Sequence, residues 1–199
     1  MMDLFGPLNL SEMMTESLME EIMVKYHFQD VREEMHQAYT AVRSAIKDQE
    51  RYEVLLDREL MQADIVVTLG GLIDKYQEKL AKEDDIMKEL MVEQISWDLL
   101  AQGYKMIRDN LCEFHGLTMD KMHFWGGEPD YPLEGLIDVL KRFQHLDISL
   151  SHALSLSPSK SAVFRAHLLL AEEEAVEHGL CSTCNRQERC EYYDNRLSD

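Results

Sequence analysis

The spacing of apolar residues changes along this chain, and that change restricts the folds that it can adopt. Near the N-terminus, Met14, Leu18 and Ile22 recur at four-residue steps, which is the spacing of an amphipathic helix. A second helix is predicted from about Gln29 to Gln49, with apolar residues on one face and charges on the other. Residues 1–50 are therefore predicted to form a helical N-terminal part.

The residues that follow change to patterns that are typical of strands. Residues 64–69 are largely β-branched and end at a Gly-Gly turn. Residues 148–156 alternate apolar with small polar side chains, and residues 162–169 resume an apolar run after the turn Pro158–Ser161. We therefore predict that these three segments are strands of one sheet.

Helices and one irregular stretch are predicted between these strands. The acidic residues 83–85 favour a helix start, and a long helix is predicted from there to about Phe114. A short helix is predicted from Leu133 to Phe143. Residues 115–135 have no apolar periodicity and are rich in turn formers, so they are predicted to be irregular. Together these segments predict an α+β protein.

The charge of the chain argues against nucleic acid as a partner. Its 199 residues include 38 acidic and 20 basic side chains, for a net charge of −18, and a phosphate backbone would be repelled. No apolar run is long enough to span a bilayer, and the N-terminus lacks the features of a signal peptide. We expect a cytoplasmic protein that binds neither nucleic acid nor membrane.

Three of the four cysteines, Cys181, Cys184 and Cys190, lie within ten residues near the C-terminus. Two thiolates separated by two residues can turn toward one ion, and a third can extend the set. A reducing cytoplasm favours thiolate ligands over disulfides. We predict one metal centre, an iron–sulfur cluster or zinc, with Cys112, His178 or an external group as the fourth ligand. A cysteine-rich surface tail or a disulfide is the alternative.

The order of several segments resembles the reactivation domain of cobalamin-dependent methionine synthase. The segments are Val66–Gly71, an acid-rich helix entry, a long helix, Glu128–Pro132, a short helix and Ile148–Ser161. The match is closest to small stand-alone relatives with a Cys-rich C-terminus, and it covers roughly residues 50–192. The resemblance implies an activation-like domain (51–179) with a twisted, mostly antiparallel sheet flanked by helices. The residue patterns add a helical N-terminal part (1–50) before it and a Cys-rich metal-binding tail (180–199) after it.

In that family the domain binds S-adenosylmethionine and presents it to cob(II)alamin during reductive methylation. The resemblance therefore implies a partner that supplies the cobalamin, either a corrinoid protein or a cobalamin-dependent methyltransferase. Pro129–Pro132 looks like the family's Pro-Gly-Tyr-Pro turn, which makes Tyr131 similar to the tyrosine that contacts the cofactor region. Pro158–Ser161 resembles a segment near the ligand, with an ordinary exposed turn as the alternative. The implied cofactor-binding residues, between this loop and this turn, are Glu128, Pro129, Tyr131, Ser159, Lys160 and Ser161.

The chain departs from the family at one position. The family's arginine, five residues before the tyrosine, falls on Gly126. Arginine suits the ligand's carboxylate because its planar fork donates two parallel hydrogen bonds. Three functions stay open: reactivation of a corrinoid protein with S-adenosylmethionine, binding of a corrinoid or corrinoid protein without that chemistry, and a metal-stabilised structural protein. No catalytic nucleophile is predicted.

Overall fold

Five antiparallel strands form the central sheet. The computed structural model describes residues 2–143 and 145–171, and side chains from residue 4 onward. The strands are β1 Met2–Pro7, β2 Arg51–Asp57, β3 Gln62–Thr68, β4 Leu117–Phe124, β5 Ser149–Leu150, β6 Leu156–Ser157 and β7 Ser161–Leu170. The spatial order of the central sheet is β1-β2-β3-β7-β4. The helices are α1 Leu10–Met13, α2 Glu16–Lys25, α3 Arg32–Ile46, α4 Leu72–Lys82, α5 Ile86–His115 and α6 Gly135–Leu140, with a 3-10 turn at Gln29–Val31.

Helices α1 to α5 lie on one face of this sheet and enclose the main apolar core. Phe164 of β7 is fully buried there against Tyr104 of α5, with ring centroids 5.2 Å apart. Helix α5 begins where the Asp85 side chain accepts a hydrogen bond from the Lys88 amide, and it ends at Gly116, whose φ of 65° is left-handed. At 30 residues, α5 is about 45 Å long and runs across the whole layer.

The N-terminal helices connect two neighbouring strands. β1 pairs with β2 from Pro7 opposite Arg51 to Met2 opposite Leu56, and α1 to α3 lie between these strands in the chain. Buried residues of α2 and α3 belong to the same apolar core as the sheet. The N-terminal part therefore contributes an edge strand as well as helices.

The opposite face of the sheet packs against α6 and the β5–β6 hairpin. A second apolar cluster lies there, formed by Val66 and Val163 of the sheet with Leu136 and Val139 of α6. Charged and aromatic side chains occupy the neighbouring positions. We call the face that packs against α1 to α5 the helix side, and the face that packs against α6 the α6 side.

The predicted α+β class is confirmed, together with most of the predicted elements. Residues 64–69 and 162–169 correspond to β3 and β7, which are antiparallel neighbours. The two N-terminal helices correspond to α2 and α3, and the long helix predicted to end near Phe114 is α5. Within residues 2–143 and 145–171, no helix is long and apolar enough to cross a membrane.

The prediction that residues 148–156 form a strand of the main sheet is wrong. β5 and β6 pair with each other in a separate two-stranded sheet. The Ser151 hydroxyl accepts hydrogen bonds from the amides of Ala153 and Ser155, so the segment turns instead of extending. The alternation in this sequence reflects the apolar side chains of Ile148 and Leu150, which pack against the α6-side cluster.

The prediction that residues 115–135 are irregular is wrong over β4. A bulge between Met119 and Met122 shifts the register of β4 against β7. The extra residues break the period of two that identifies a strand in a sequence. The sequence patterns also did not predict β1 or β2 as strands. In β2 the five central residues are buried on both faces of the sheet, so apolar and polar side chains do not alternate.

Candidate functional site

The loop of residues 125–133 follows β4 and carries the predicted residues Glu128, Pro129 and Tyr131. The Gly126 amide donates a hydrogen bond to the Tyr131 carbonyl oxygen at 2.7 Å, and the Tyr131 amide donates to the Glu128 carbonyl oxygen at 3.1 Å. These bonds close a tight turn with Pro129 exposed at its tip. We call this segment the Tyr131 loop, and it brings Glu128 and Tyr131 together.

Gly126 has a structural reason to be glycine. Its φ of 82° lies in the left-handed region, where side chains are disfavoured, and a Cβ atom would lie 3.1 Å from Cδ1 of Leu133. An arginine here, as in the family that the chain resembles, would be strained. The backbone of the loop therefore favours glycine at position 126.

The Tyr131 loop is fastened to β4 by His123. The rings of Tyr131 and His123 stack in parallel, with centroids 4.5 Å apart and an interplanar angle of 11°. Nδ1 of His123 lies 2.9 Å from Oε1 of Glu128. The edge of Trp125 meets the Tyr131 ring at 5.8 Å. Three side chains of one segment thus fix the orientation of Tyr131.

A buried carboxylate on β3 holds two arginines beside this loop. The Asp64 side chain is only 3% exposed, and it accepts hydrogen bonds from Nε and Nη2 of Arg165 at 2.6 and 2.9 Å and a further one from Arg142. The hydrogen bond to Asp64 raises the pKa of Arg165. The Arg165 guanidinium also lies 5.7 Å from the Trp125 ring centroid. The charged cluster and the Tyr131 loop are therefore contiguous.

Two titratable groups respond to this environment. Burial raises the pKa of Tyr131, and the positive charge of Arg165 opposes that shift. Burial lowers the pKa of His167 below its ordinary 6.5, and neighbouring His123 and Lys121 lower it further. The His167 ring meets the His123 ring edge-on at 5.1 Å. His167 is therefore held mainly in its neutral form at pH 7.

The turn at residues 158–161 carries the other predicted site residues, and each is bound to another part of the chain. Ser159 donates from its amide and its hydroxyl to Asp74, at 2.9 and 2.6 Å. Nζ of Lys160, a residue only 7% exposed, donates to Glu93 of α5 at 2.6 Å. The Ser161 hydroxyl donates to Oγ1 of Thr68 at 2.8 Å. These bonds fasten the start of β7 to α4, α5 and β3.

The structure does not bring the Tyr131 loop and this turn into one cleft. Lys160 extends to α5 on the helix side, whereas Tyr131 stacks on His123 beside Arg165 on the α6 side. The sheet lies between them, because Phe164 and Arg165 alternate across β7. Glu128, Pro129 and Tyr131 share one site, and Ser159, Lys160 and Ser161 lie elsewhere.

The predicted metal ligands Cys181, Cys184 and Cys190, and the candidate fourth ligand His178, lie outside the described residues. Cys112, the other candidate, is exposed on α5. Among the residues that the structure describes, no group of three or more His, Cys, Asp or Glu side chains is placed to hold a metal ion. The metal centre stays a prediction.

Two residues of the charged cluster could have been recognised from the sequence. Asp64 and Arg165 each interrupt an apolar run, and a charge in a buried strand needs a partner. The antiparallel pairing of β3 with β7 sets them opposite each other. Arg142 gave no such signal, because Asp64 is 78 residues away in the sequence.

Neither a protein-family model nor a curated protein matches the chain.

Proposed function

We propose that this chain is an accessory factor that helps to reactivate a corrinoid protein or a cobalamin-dependent methyltransferase. The observation that carries the proposal is the Tyr131 loop, whose sequence resembles the turn that contacts the cofactor region in the reactivation domain of methionine synthase. His123, Glu128 and Trp125 orient the ring of Tyr131. A preorganised loop loses little conformational entropy on binding, which favours a role in recognition.

Reductive methylation with S-adenosylmethionine is the form of this function that the resemblance implies. The cobalamin would be supplied by the partner, and this chain would hold the methyl donor beside it. The α+β fold agrees with the architecture of that family, and Tyr131 occupies an intermediate, accessible position at the end of β4. The side chains Glu128 and Tyr131 are the proposed contacts.

A second candidate is a module that binds a corrinoid or corrinoid protein without S-adenosylmethionine chemistry. One observation favours it: the left-handed φ of Gly126 and its distance to Leu133 disfavour the arginine that would hold the methionine carboxylate. In this form the Tyr131 loop contacts only the corrinoid or its protein. The two candidates differ in whether S-adenosylmethionine binds.

The test is calorimetric titration of the chain with cob(II)alamin under anoxic conditions and, separately, with S-adenosylmethionine. We expect Tyr131→Ala to weaken binding by about tenfold, the effect of losing one well-placed aromatic contact, without unfolding the domain. Phe114→Ala, an exposed aromatic at the end of α5, is the matched control and should bind like the wild type. Binding of cob(II)alamin alone supports the second candidate, and binding of neither ligand contradicts the small-ligand form of both.

The cysteine tail is proposed to hold an iron–sulfur cluster or zinc, and a cluster could deliver an electron to the corrinoid. Anoxic purification followed by iron and zinc analysis and a visible spectrum tests this. Cys184→Ser should abolish metal content, whereas Ser182→Ala should retain it. Broad visible absorbance identifies a cluster, and a colourless zinc protein identifies a structural site. Wild-type protein with neither metal in near-stoichiometric amount would refute the metal centre.

A further inference from the structure

Helix α5 has an apolar stripe on its solvent-facing side. Ile86, Leu90 and Trp97 are 75%, 45% and 54% exposed, and their spacing of four and seven residues places them on one face of the helix. Buried residues of α5, such as Ile95 and Leu99, lie on the opposite face. The stripe extends over about 16 Å of the helix. Polar side chains are expected on such a face, so three large apolar ones indicate a surface that another molecule covers.

Helix α4 runs antiparallel beside this stripe and widens it. Three residues, 83–85, join the two helices, and Nε2 of Gln77 on α4 donates to Oε2 of Glu93 on α5 at 2.9 Å. Since Gln77 lies level with Glu93, Leu72 at the start of α4 lies level with Trp97, and Leu72 is 41% exposed. We call the surface formed by Leu72, Ile86, Leu90 and Trp97 the α4–α5 face.

Glu93, which lies between Leu90 and Trp97 on the stripe, is hydrogen-bonded within the protein through both of its carboxylate oxygens. Its Oε1 accepts from Nε1 of Trp97 at 2.9 Å, and its Oε2 accepts from Gln77 and, at 2.6 Å, from Nζ of Lys160. A carboxylate that is already paired costs less to cover than an unpaired one. The charge within the stripe is therefore compatible with an interface.

The charges around the α4–α5 face determine what kind of molecule fits it. Residues 72–97 contain seven acidic residues and four lysines, so this segment has a net charge of −3. Two of the lysines are paired with acids of the same segment, Lys79 with Glu83 and Lys88 with Asp85. Two chains that each carry a charge of −18 repel each other, which disfavours a second copy and also an anionic lipid surface. The face suits a partner whose apolar surface is flanked by Lys and Arg.

We infer that the α4–α5 face is a docking surface for a basic amphipathic helix of a partner protein. A helix fits because its own apolar side chains recur at the same steps, so that it packs along the stripe as one helix packs on another. Lys or Arg side chains beside its apolar face meet the acidic residues around the stripe. The α4–α5 face lies on the helix side and the Tyr131 loop on the α6 side, so the inference does not rest on the proposed function.

The probe is a synthetic amphipathic peptide without tryptophan, with leucines on one face and lysines on the flanking positions. Two control peptides change one property each: glutamates replace the lysines in the first, and serines replace the leucines in the second. Fluorescence anisotropy of the labelled peptides measures binding. We expect the wild-type chain to bind the leucine–lysine peptide at least about tenfold more tightly than either control, because the face requires both apolar contact and opposite charge.

Substitutions then locate the bound peptide. Trp97→Ala should weaken binding by about tenfold, as expected for the loss of one aromatic anchor, while thermal unfolding shows a folded domain. Phe114→Ala, at a similarly exposed aromatic near the other end of α5, is the matched control and should bind like the wild type. The peptide should also shift the tryptophan emission of the wild type to shorter wavelength. Trp97→Phe should bind the peptide without this shift.

Three results would overturn the inference. The leucine–lysine peptide does not bind, or it binds no more tightly than the serine–lysine peptide, or Trp97→Ala leaves its affinity unchanged. The last two would show non-specific attraction to an acidic protein. A wild-type dimer in sedimentation equilibrium that Trp97→Ala converts to a monomer would assign the face to a second copy instead. An emission shift with neutral phosphatidylcholine vesicles, but not with the peptide, would assign it to a membrane. Because these measurements use neither cobalamin nor S-adenosylmethionine, their failure leaves the proposed function unaffected.

Discussion

Alternate residues of β7 meet two different environments. Phe164, Ala166 and Leu168 belong to the apolar core on the helix side, whereas Arg165 and His167 lie on the α6 side among charged and aromatic groups. The helix side is stabilised mainly by burial of apolar side chains, although Lys160 and Glu93 also form an ion pair there. The α6 side contains the buried carboxylate of Asp64, two arginines and stacked rings.

This difference indicates that the two sides of the sheet are stabilised by different interactions. Apolar packing is non-directional, so the helix side tolerates exchange of similar side chains better than loss of volume. Buried charges need partners in defined positions, and removing one partner leaves the other uncompensated. Substitutions on the helix side should therefore lower the free energy of unfolding through lost volume, and substitutions in the charged cluster on the α6 side should lower it through an uncompensated charge.

The largest effect on stability is expected on the helix side. Phe164→Ala should lower the free energy of unfolding by about 4 kcal/mol, because it leaves a cavity in the fully buried core. Val163→Ala, the neighbouring position on the α6 side, removes fewer atoms and should cost about 2 kcal/mol or less. Urea denaturation measures both. Equal losses would contradict the assignment of the main core to the helix side.

The next effect concerns the buried charge on the α6 side. Asp64→Asn should cost about 3 kcal/mol, because Arg165 and Arg142 lose their shared counter-charge. Asp138→Asn breaks an exposed pair with Lys141 and should cost less than about 0.5 kcal/mol. Thermal and chemical unfolding provide the comparison. If both substitutions cost the same, the cluster has no special role in stability.

The smallest effect is a pH dependence. The pKa of His167 is lowered in the folded protein, so its stability contribution is complete above the ordinary value of 6.5 and is lost as pH falls through the folded pKa. His167→Gln should therefore flatten part of the decline in unfolding free energy between pH 7 and pH 5. His36→Gln, at an exposed position of α3, should leave the decline unchanged. If His36→Gln flattened the decline and His167→Gln did not, the pH response would belong to the helix side.

Sequence reasoning succeeded where one local rule determined the structure. α3 and α5 have apolar stripes, and β3 and β7 have apolar runs bounded by turns, so each could be predicted without tertiary information. β4 was missed because of its bulge.

The candidate site was predicted only in part for a similar reason. The Pro-flanked Tyr131 is a local feature, and Glu128 lies beside it in the sequence. Asp64, Arg142 and Arg165 meet only when β3, β7 and the segment after α6 come together. The turn with Lys160 lies near β7 in the sequence, but alternation across the sheet directs Lys160 to the helix side.

The central claim is that the ligand binds on the α6 side, at the Tyr131 loop, and not at the turn with Lys160. Hydrogen–deuterium exchange with and without saturating cob(II)alamin under anoxic conditions tests it most directly. The account predicts slower amide exchange in residues 125–133 on binding, with residues 159–161 unchanged. Protection of residues 159–161 or of α5, with the Tyr131 loop unchanged, would contradict it.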